Sequence, residues 1–449
     1  VGVKGATLLS GSDVDTKIAV IGLGYVGLQL AIAFSRHLGT TGFDINADRV
    51  SELRNGIDRN GEVMASELSS GRLELSSNEH DLTSADTYIV AVPTPVDETS
   101  KPDVSYLVEA SALVGRAMAG RPAGSSAPIV IYESTVYPGC TEEVCVPVLE
   151  QESGLKSGNG FKVGYSPERT NFGDREHDLN AVVKVVAGQD QETTSFISGL
   201  YTQIIGAGIH EAPDIRTAEA AKVIENVQRD LNIALMNELF VIFDRMDIDT
   251  SAVLDAASTK WNFHSYKPGL VGGHCIPVDP YYLAYKASEL GIDAELILAG
   301  RRINNSMAHL VADKLKAMLS EANRPIAEAR ILILGAAFKP DIKDARNSQI
   351  RSLGLRISDD GGSVDVYDPL VGTDVVGNMG LHPIDDPFTS DVMYDAIVMA
   401  VGHSEFRSRP LEDIFDLLAS GTGPGVLIDI GRNFSLTPDQ RLEVLYWGI

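Results

Sequence analysis

The chain is 449 residues long, with 37 Lys+Arg against 62 Asp+Glu and a formal net charge of −25. That length exceeds one ordinary domain, and so acidic a balance excludes the basic face that nucleic acids and anionic membranes require. Three cysteines, an odd and small number, make no disulfide scaffold.

Residues 1–15 read as a flexible N-terminus without the basic and then apolar pattern of a secretory leader. No run approaches the roughly 20 apolar residues of a membrane span, so the expected setting is the cytoplasm. From Thr16 to about Gly206, short β-branched runs alternate with helical patterns. Lys17–Ile21, Tyr88–Val92, Ile129–Tyr132 and Val182–Ala187 read as strands of βαβ units around a parallel sheet.

The first strand runs into Gly22-Leu23-Gly24-Tyr25-Val26-Gly27, and a helical pattern follows over Leu28–Leu38. A bare GxGxxG arises often by chance; between a strand and a helix it is a dinucleotide fingerprint. Gly22 permits the tight turn, Gly24 lets backbone approach a pyrophosphate, and Gly27 permits close helix–strand packing. The next strand ends at Asp44, placed to bond a ribose 2′-OH and to repel a 2′-phosphate. NAD is therefore expected over NADP, with FAD as the rival ligand.

From about Asp214 to Ala322 the strand signal disappears. Thr217–Asp247 reads as one long helix, with Ala220, Ile224, Val227, Leu231, Leu235 and Leu239 at helical spacing. Lys222, Asn226 and Arg229 share its opposite face. They form either a solvated face with a Glu225–Arg229 pair, or a cation and an amide aimed at reacting oxygen. Further helices are expected over Ser251–Ser258, Pro280–Leu290 and Leu296–Glu321.

Gly272-Gly273-His274-Cys275 sits between them, followed by Asp279-Pro280. Glycines around a cysteine admit a substrate carbon, and a following helix N-terminus favours the thiolate. Asp279-Pro280 also suits the N-cap and first position of that helix, and the two roles are compatible. Cys140 and Cys145 read as small buried hydrophobes. His274 has no second ligand cluster, so no metal site is expected. Glu168 lies in a loop, where functional residues concentrate.

After Asn323 strands return at Arg330–Leu334, Ser363–Tyr367, Asp395–Val401 and Val426–Ile430. The fold class is α/β: a Rossmann-type dinucleotide-binding domain over 16–212, a central helical domain over 213–323, and a Rossmann-like domain over 324–449.

Together these motifs resemble the UDP-glucose/GDP-mannose dehydrogenase family, NAD-dependent four-electron oxidisers of nucleotide sugars. Supporting segments are Val92-Pro93-Thr94-Pro95, Glu133-Ser134-Thr135-Val136, Ala218-Glu219-Ala220-Ala221-Lys222, Gly335-Ala336-Ala337-Phe338-Lys339 and Asp344-Ala345-Arg346-Asn347-Ser348. The resemblance implies a Cys275 nucleophile that carries a thiohemiacetal and then a thioester. Lys222 and Asn226 would stabilise the oxyanion, Asp279 and Thr135 would manage a water, and Glu168 would serve thioester hydrolysis. NAD would lie against Gly22, Gly24, Tyr25, Val26, Gly27 and Asp44, with Arg49, Pro93, Thr94, Ser134, Thr135 and Arg346 around it. The UDP-sugar would meet Glu168, Arg169, Lys222, Arg229 and Arg302, together with Phe263, Tyr266, Gly272 and Lys339. The third domain then becomes the nucleotide-sugar-binding domain, and the family pairs subunits through the long helix, so a homodimer is implied.

Ser166-Pro167-Glu168-Arg169 with Phe172, where the UDP-glucose branch carries a second Glu, resembles the bacterial UDP-N-acetylglucosamine/UDP-N-acetylgalactosamine 6-dehydrogenase branch. That branch implies a uronic acid for surface polysaccharide. UDP-glucose and UDP-N-acetylmannosamine are alternative substrates. A two-electron β-hydroxyacid dehydrogenase or a non-catalytic nucleotide-sugar binder would have no use for Cys275.

Overall fold

The computed structural model describes residues 16–69, 71–97, 99–170, 178–419 and 423–449; the 1–15 segment and Phe172 lie outside them. Among the described residues ahead of the long helix there are eight strands: β1 (Lys17–Ile21), β2 (Gly39–Phe43), β3 (Leu73–Ser76), β4 (Thr87–Val90), β5 (Ile129–Tyr132), β6 (Lys162–Tyr165), β7 (Lys184–Gly188) and β8 (Ile209–Glu211). Their order is β3-β2-β1-β4-β5-β6-β7-β8, and only β6–β7 is antiparallel. β4 and β5 are buried at every position, which is why they read as unbroken apolar runs. β6 escaped the sequence reading because Gly164 interrupts it. A Cβ there would fall 2.1 Å from Ile197, so the glycine is a packing requirement.

By compactness the chain divides into two units, Val1–Glu225 with Tyr281–Asp293, and Asn226–Pro280 with Ala294–Ile449. The helical middle segment therefore contributes to both. Among its described residues the second unit holds six parallel strands: β9 (Arg330–Leu334), β10 (Ser363–Tyr367), β11 (His382–Pro383), β12 (Ala396–Met399), β13 (Gly425–Asp429) and β14 (Val444–Gly448). Their order is β11-β10-β9-β12-β13-β14.

The two sheets share one local design. Gly22 and Gly335 each follow the first strand at φ 93° and 97°, in the left-handed region that glycine tolerates. Gly22 N–H donates to Phe43 O at 2.8 Å, and Gly335 N–H to Tyr367 O at 2.7 Å. The acid that follows receives the next amide: Leu23 N–H to Asp44 at 2.9 Å, Ala336 N–H to Asp368 at 2.6 Å. Asp368 is also bonded by Ala337 N–H and by the buried His403 ring. Burial pushes its carboxyl up, but His403 and these amides hold it down at about 2. The second turn thus keeps the architecture of the first while its acid is committed to internal bonds.

The long helix spans Ile215–Arg245. Its burial departs from expectation. Glu219, Lys222, Asn226, Asp230 and Asn237 are buried, whereas Ile224 is 53% and Leu235 49% exposed. Helical spacing tells which residues share a face, not which face meets neighbours. Here the buried polar groups win because each has a partner that apolar residues would leave unsatisfied. Glu225 pairs with Arg169 at 2.7 Å, so the solvated Glu225–Arg229 pair is replaced.

Candidate active site

In the first unit the helix Tyr25–Ser35 begins after Gly24, which supplies no side-chain cap. Its first-turn N–H groups, at Tyr25 and Val26, are thus placed for an anion. A Cβ on Gly27 would lie 1.8 Å from Gly22 O, while one on Gly24 would meet nothing within 4 Å. The first glycine closes the packing and the second leaves an open approach for a pyrophosphate. Asp44 ends the neighbouring strand and orients the turn through Leu23 N–H. Arg49 is buried beneath it, donating to Leu23 O at 3.1 Å and pairing with Asp58 at 2.7 Å. Its charge supports the glycine loop from behind. The loops after β4 and β5 are tied together: Thr94 donates to Thr135 O at 2.7 Å, and Ser134 to Val92 O at 2.6 Å. Tyr282 donates to Thr94 O at 2.5 Å, next to Pro93. These donors and this open backbone fit NAD.

The loop Ser166-Pro167-Glu168-Arg169 leaves β6 and is held by residues that the sequence reading missed. Lys184 Nζ lies 2.6 Å from Glu133 and 3.0 Å from Pro167 O. Tyr201 OH bonds the other Glu133 oxygen. Burial pushes the Glu133 carboxyl up to about 7 against the pull of Lys184. Arg169 donates to Val183 O at 2.6 Å. Glu168 Oε1 accepts Thr170 N–H at 2.5 Å, and its buried Oε2 has no hydrogen-bond partner among the described residues. The available signal was Lys184 itself, a lone cation within Val182-Val183-Lys184-Val185-Val186.

Glu219 closes the first turn of the long helix onto the chain after β5, accepting Gly139 N–H at 2.5 Å and Thr141 N–H at 3.0 Å. Burial pushes its carboxyl up to about 7. The folded state therefore holds this proton more tightly than the unfolded chain. The stability it contributes is full below about pH 4.5 and is lost as pH rises through 7. Glu219→Gln is expected to remove about 3 kcal/mol of that pH dependence. Hydrogen exchange of the 215–225 peptide, compared with wild type from pH 5 to 8, checks this. A difference independent of pH would contradict it.

In the second unit Asn237 grips Gly269 as a strand partner would: Gly269 N–H donates to its Oδ1 at 2.8 Å, and its Nδ2 to Gly269 O at 3.1 Å. Asn237 also donates to Asn304 at 2.8 Å, and Asn304 to Asp230 at 2.7 Å. Asp230 pairs with buried Arg301 at 2.5 Å, while Arg302 and Arg229 are exposed. The segment then reaches Cys275, which is partly buried and whose carbonyl accepts the N–H groups of Val278 at 3.1 Å and Asp279 at 2.9 Å. Asp279 accepts Asn226 Nδ2 at 2.6 Å; both residues are buried. Asn226 stands one turn beyond Lys222 on the long helix. Tyr266 donates to Gln228 at 3.2 Å, and Phe263 follows the Thr250–Ser258 helix.

A cavity of about 410 Å³ opens at the carboxyl ends of β9, β12 and β13, lined by Leu270, Gly272, Phe338, Lys339, Gln349 and Asn433 among others. Ligands of open α/β sheets bind at such switch points. Arg346 is exposed nearby in sequence and pairs with Asp344 at 2.6 Å.

Three profiles of one family match in chain order: the NAD binding domain of the UDP-glucose/GDP-mannose dehydrogenase family over 16–205, its central domain over 216–306 and its UDP binding domain over 332–434. The chain belongs to this family. The dehydrogenase is 49% identical over 419 residues to a UDP-N-acetyl-D-glucosamine 6-dehydrogenase of Pseudomonas aeruginosa, covering 93% of this chain and 96% of that one. It is 46% identical over 403 residues to a protein of the same name from Salmonella typhi, covering 89% and 93%. A solved UDP-D-ManNAc dehydrogenase from Pyrococcus horikoshii superposes with a TM-score of 0.85 at 31% identity, covering 97% and 99%. No helix of the dehydrogenase among the described residues is long and apolar enough to cross a membrane.

Proposed function

We propose that this dehydrogenase oxidises the C6 alcohol of UDP-N-acetylglucosamine to the uronic acid, in four electrons, with Cys275 as nucleophile. The observation that carries the reading is the buried Asn226–Asp279 bond, which aligns a helix amide with the acid four residues beyond Cys275. The 49% identity to the Pseudomonas aeruginosa enzyme supports the choice of sugar.

Held at the glycine loop ahead of the Tyr25–Ser35 helix, NAD would supply the hydride acceptor, one molecule for each of the two oxidations. In the first, the alcohol gives up a hydride and passes its hydroxyl proton to Asp279 as base, leaving an aldehyde. The Cys275 thiolate adds to that carbon, and Lys222 and Asn226 stabilise the resulting oxyanion. The tetrahedral thiohemiacetal supplies the oxygen electrons that expel the second hydride, leaving a thioester. Thr135 and Asp279 position a water, and Glu168, with one oxygen unpartnered among the described residues, takes its proton as the thioester opens. Cys275 leaves as thiolate. The UDP moiety occupies the cavity beside Lys339.

The expected stoichiometry is two NADH per UDP-N-acetylglucosamine, with slower turnover of UDP-glucose and UDP-N-acetylmannosamine. One NADH per product would overturn the thioester route, and preferred use of either other sugar would overturn the substrate.

The half-exposed Ile224, Leu235 and Ile242 lie along one ridge of the long helix. We assign that ridge to a homodimer contact. Light scattering is expected to give twice 48.1 kDa; a monomer mass would refute the assignment.

A further inference from the structure

Of the stretches that line the cavity of the second unit, two meet beside Cys275. Pro268, Gly269, Leu270 and Gly272 come from the segment that leads to Cys275; Phe338, Lys339, Ser348 and Gln349 come from the UDP binding domain. These walls are fastened to each other. Asn347 Nδ2 donates to Gly273 O at 3.1 Å, and Gly273 N–H donates to Arg346 O at 3.2 Å. Gln349 Nε2 reaches Val271 O at 3.4 Å. Cβ atoms on Gly272 and Gly273 would both lie 2.9 Å from Phe338, so the two stretches touch without slack. Asn347 holds φ at 52°, a left-handed conformation that Asn adopts far more readily than most residues. Only His274 separates the carbonyl it grips from Cys275.

We infer that Asn347 is a positioning residue that couples occupancy of the nucleotide cavity to the placement of Cys275. A nucleoside diphosphate in the cavity bears on both walls at once. Ordering the 337–349 wall holds the Asn347 amide against Gly273 O, and the peptide that follows carries Cys275 into its turn. There the carbonyl of Cys275 accepts Val278 and Asp279 N–H, which fixes the backbone that carries the thiol. Binding energy from the unreacting half of the substrate is thereby used at the reacting atom. The inference rests on the proposed roles of Cys275 and of the cavity.

The test is the rate at which iodoacetamide alkylates Cys275 in the full-length protein, followed by peptide mass spectrometry with and without UDP. Saturation by UDP, established by calorimetry for each protein, is expected to accelerate wild-type alkylation about fivefold or more. Asn347→Gly keeps the left-handed backbone and removes the amide; Asn347→Asp keeps the size and removes the N–H donor. In both, the acceleration is expected to fall under about twofold. UDP that binds wild type without accelerating alkylation overturns the coupling and leaves the proposed function standing. A wild-type response retained in both variants overturns the role of Asn347. Failure of UDP to bind, or full NAD reduction after Cys275 is alkylated, overturns the proposed function and the coupling with it.

Discussion

Cys275→Ser is expected to lower uronic acid formation by about 10⁴-fold or more while UDP still binds. Sulfur is the stronger nucleophile of the two, whereas a serine hydroxyl at the same place needs a strong base to attack. Without the covalent adduct the aldehyde carbon stays trigonal, and no oxygen electrons are available to expel a second hydride. The variant should therefore stop after one oxidation and release at most one NADH per sugar. Product analysis by mass spectrometry together with NADH absorbance separates the two stages. Cys140 and Cys145 are fully buried and provide the control, because replacing either leaves the proposed nucleophile in place. Unchanged acid formation by Cys275→Ser would remove the thioester from the mechanism.

Arg301→Met should destabilise the second unit by about 3–5 kcal/mol, because it leaves the Asp230 carboxylate buried without its cation. Both residues are almost fully buried, and burial already pushes the Asp230 carboxyl up against the pull of Arg301. Through Asn304 and Asn237 the same network reaches Gly269, so its loss should also loosen the segment that leads to Cys275. The measurement has a convenient reporter, since both tryptophans, Trp261 and Trp447, belong to this unit. Trp447 is packed against Phe240 and donates to Asp244 at 2.7 Å, so its emission follows unfolding here and not in the first unit. A urea midpoint lowered by about 1–3 M is expected. Adding Asp230→Asn to the Arg301→Met background removes the orphaned charge and should restore part of the loss. A midpoint unmoved by Arg301→Met would show that the pair contributes nothing net.

The geometry of the first glycine turn was legible from the chain. Gly22-Leu23-Gly24-Tyr25-Val26-Gly27 after an apolar strand announces its turn, because each glycine answers a constraint within a few residues. The second turn was not legible. Gly335-Ala336-Ala337 repeats the geometry of Gly22 with a different residue pattern, and its acid, Asp368, lies on another strand. Lys184 and Glu133 were equally hidden, although Lys184 interrupts an apolar strand. Nothing local shows that its partners are 51 and 17 residues away.

Alternation of β-branched runs with helical periods determined the two α/β regions and the helical segment between them. Those signals depend on spacing of a few residues, which backbone geometry sets directly. Only the tertiary structure decided which side of the long helix is buried. Hydrophobicity pointed to Ile224 and Leu235, which are exposed, yet Glu219, Asn226, Asp230 and Asn237 are enclosed beside Val223, Val227, Met236 and Phe240. The physical reason is that burial of a polar group is governed by its partners. Those partners, Gly139, Asp279, Arg301 and Gly269, arrive from 80, 53, 71 and 32 residues away.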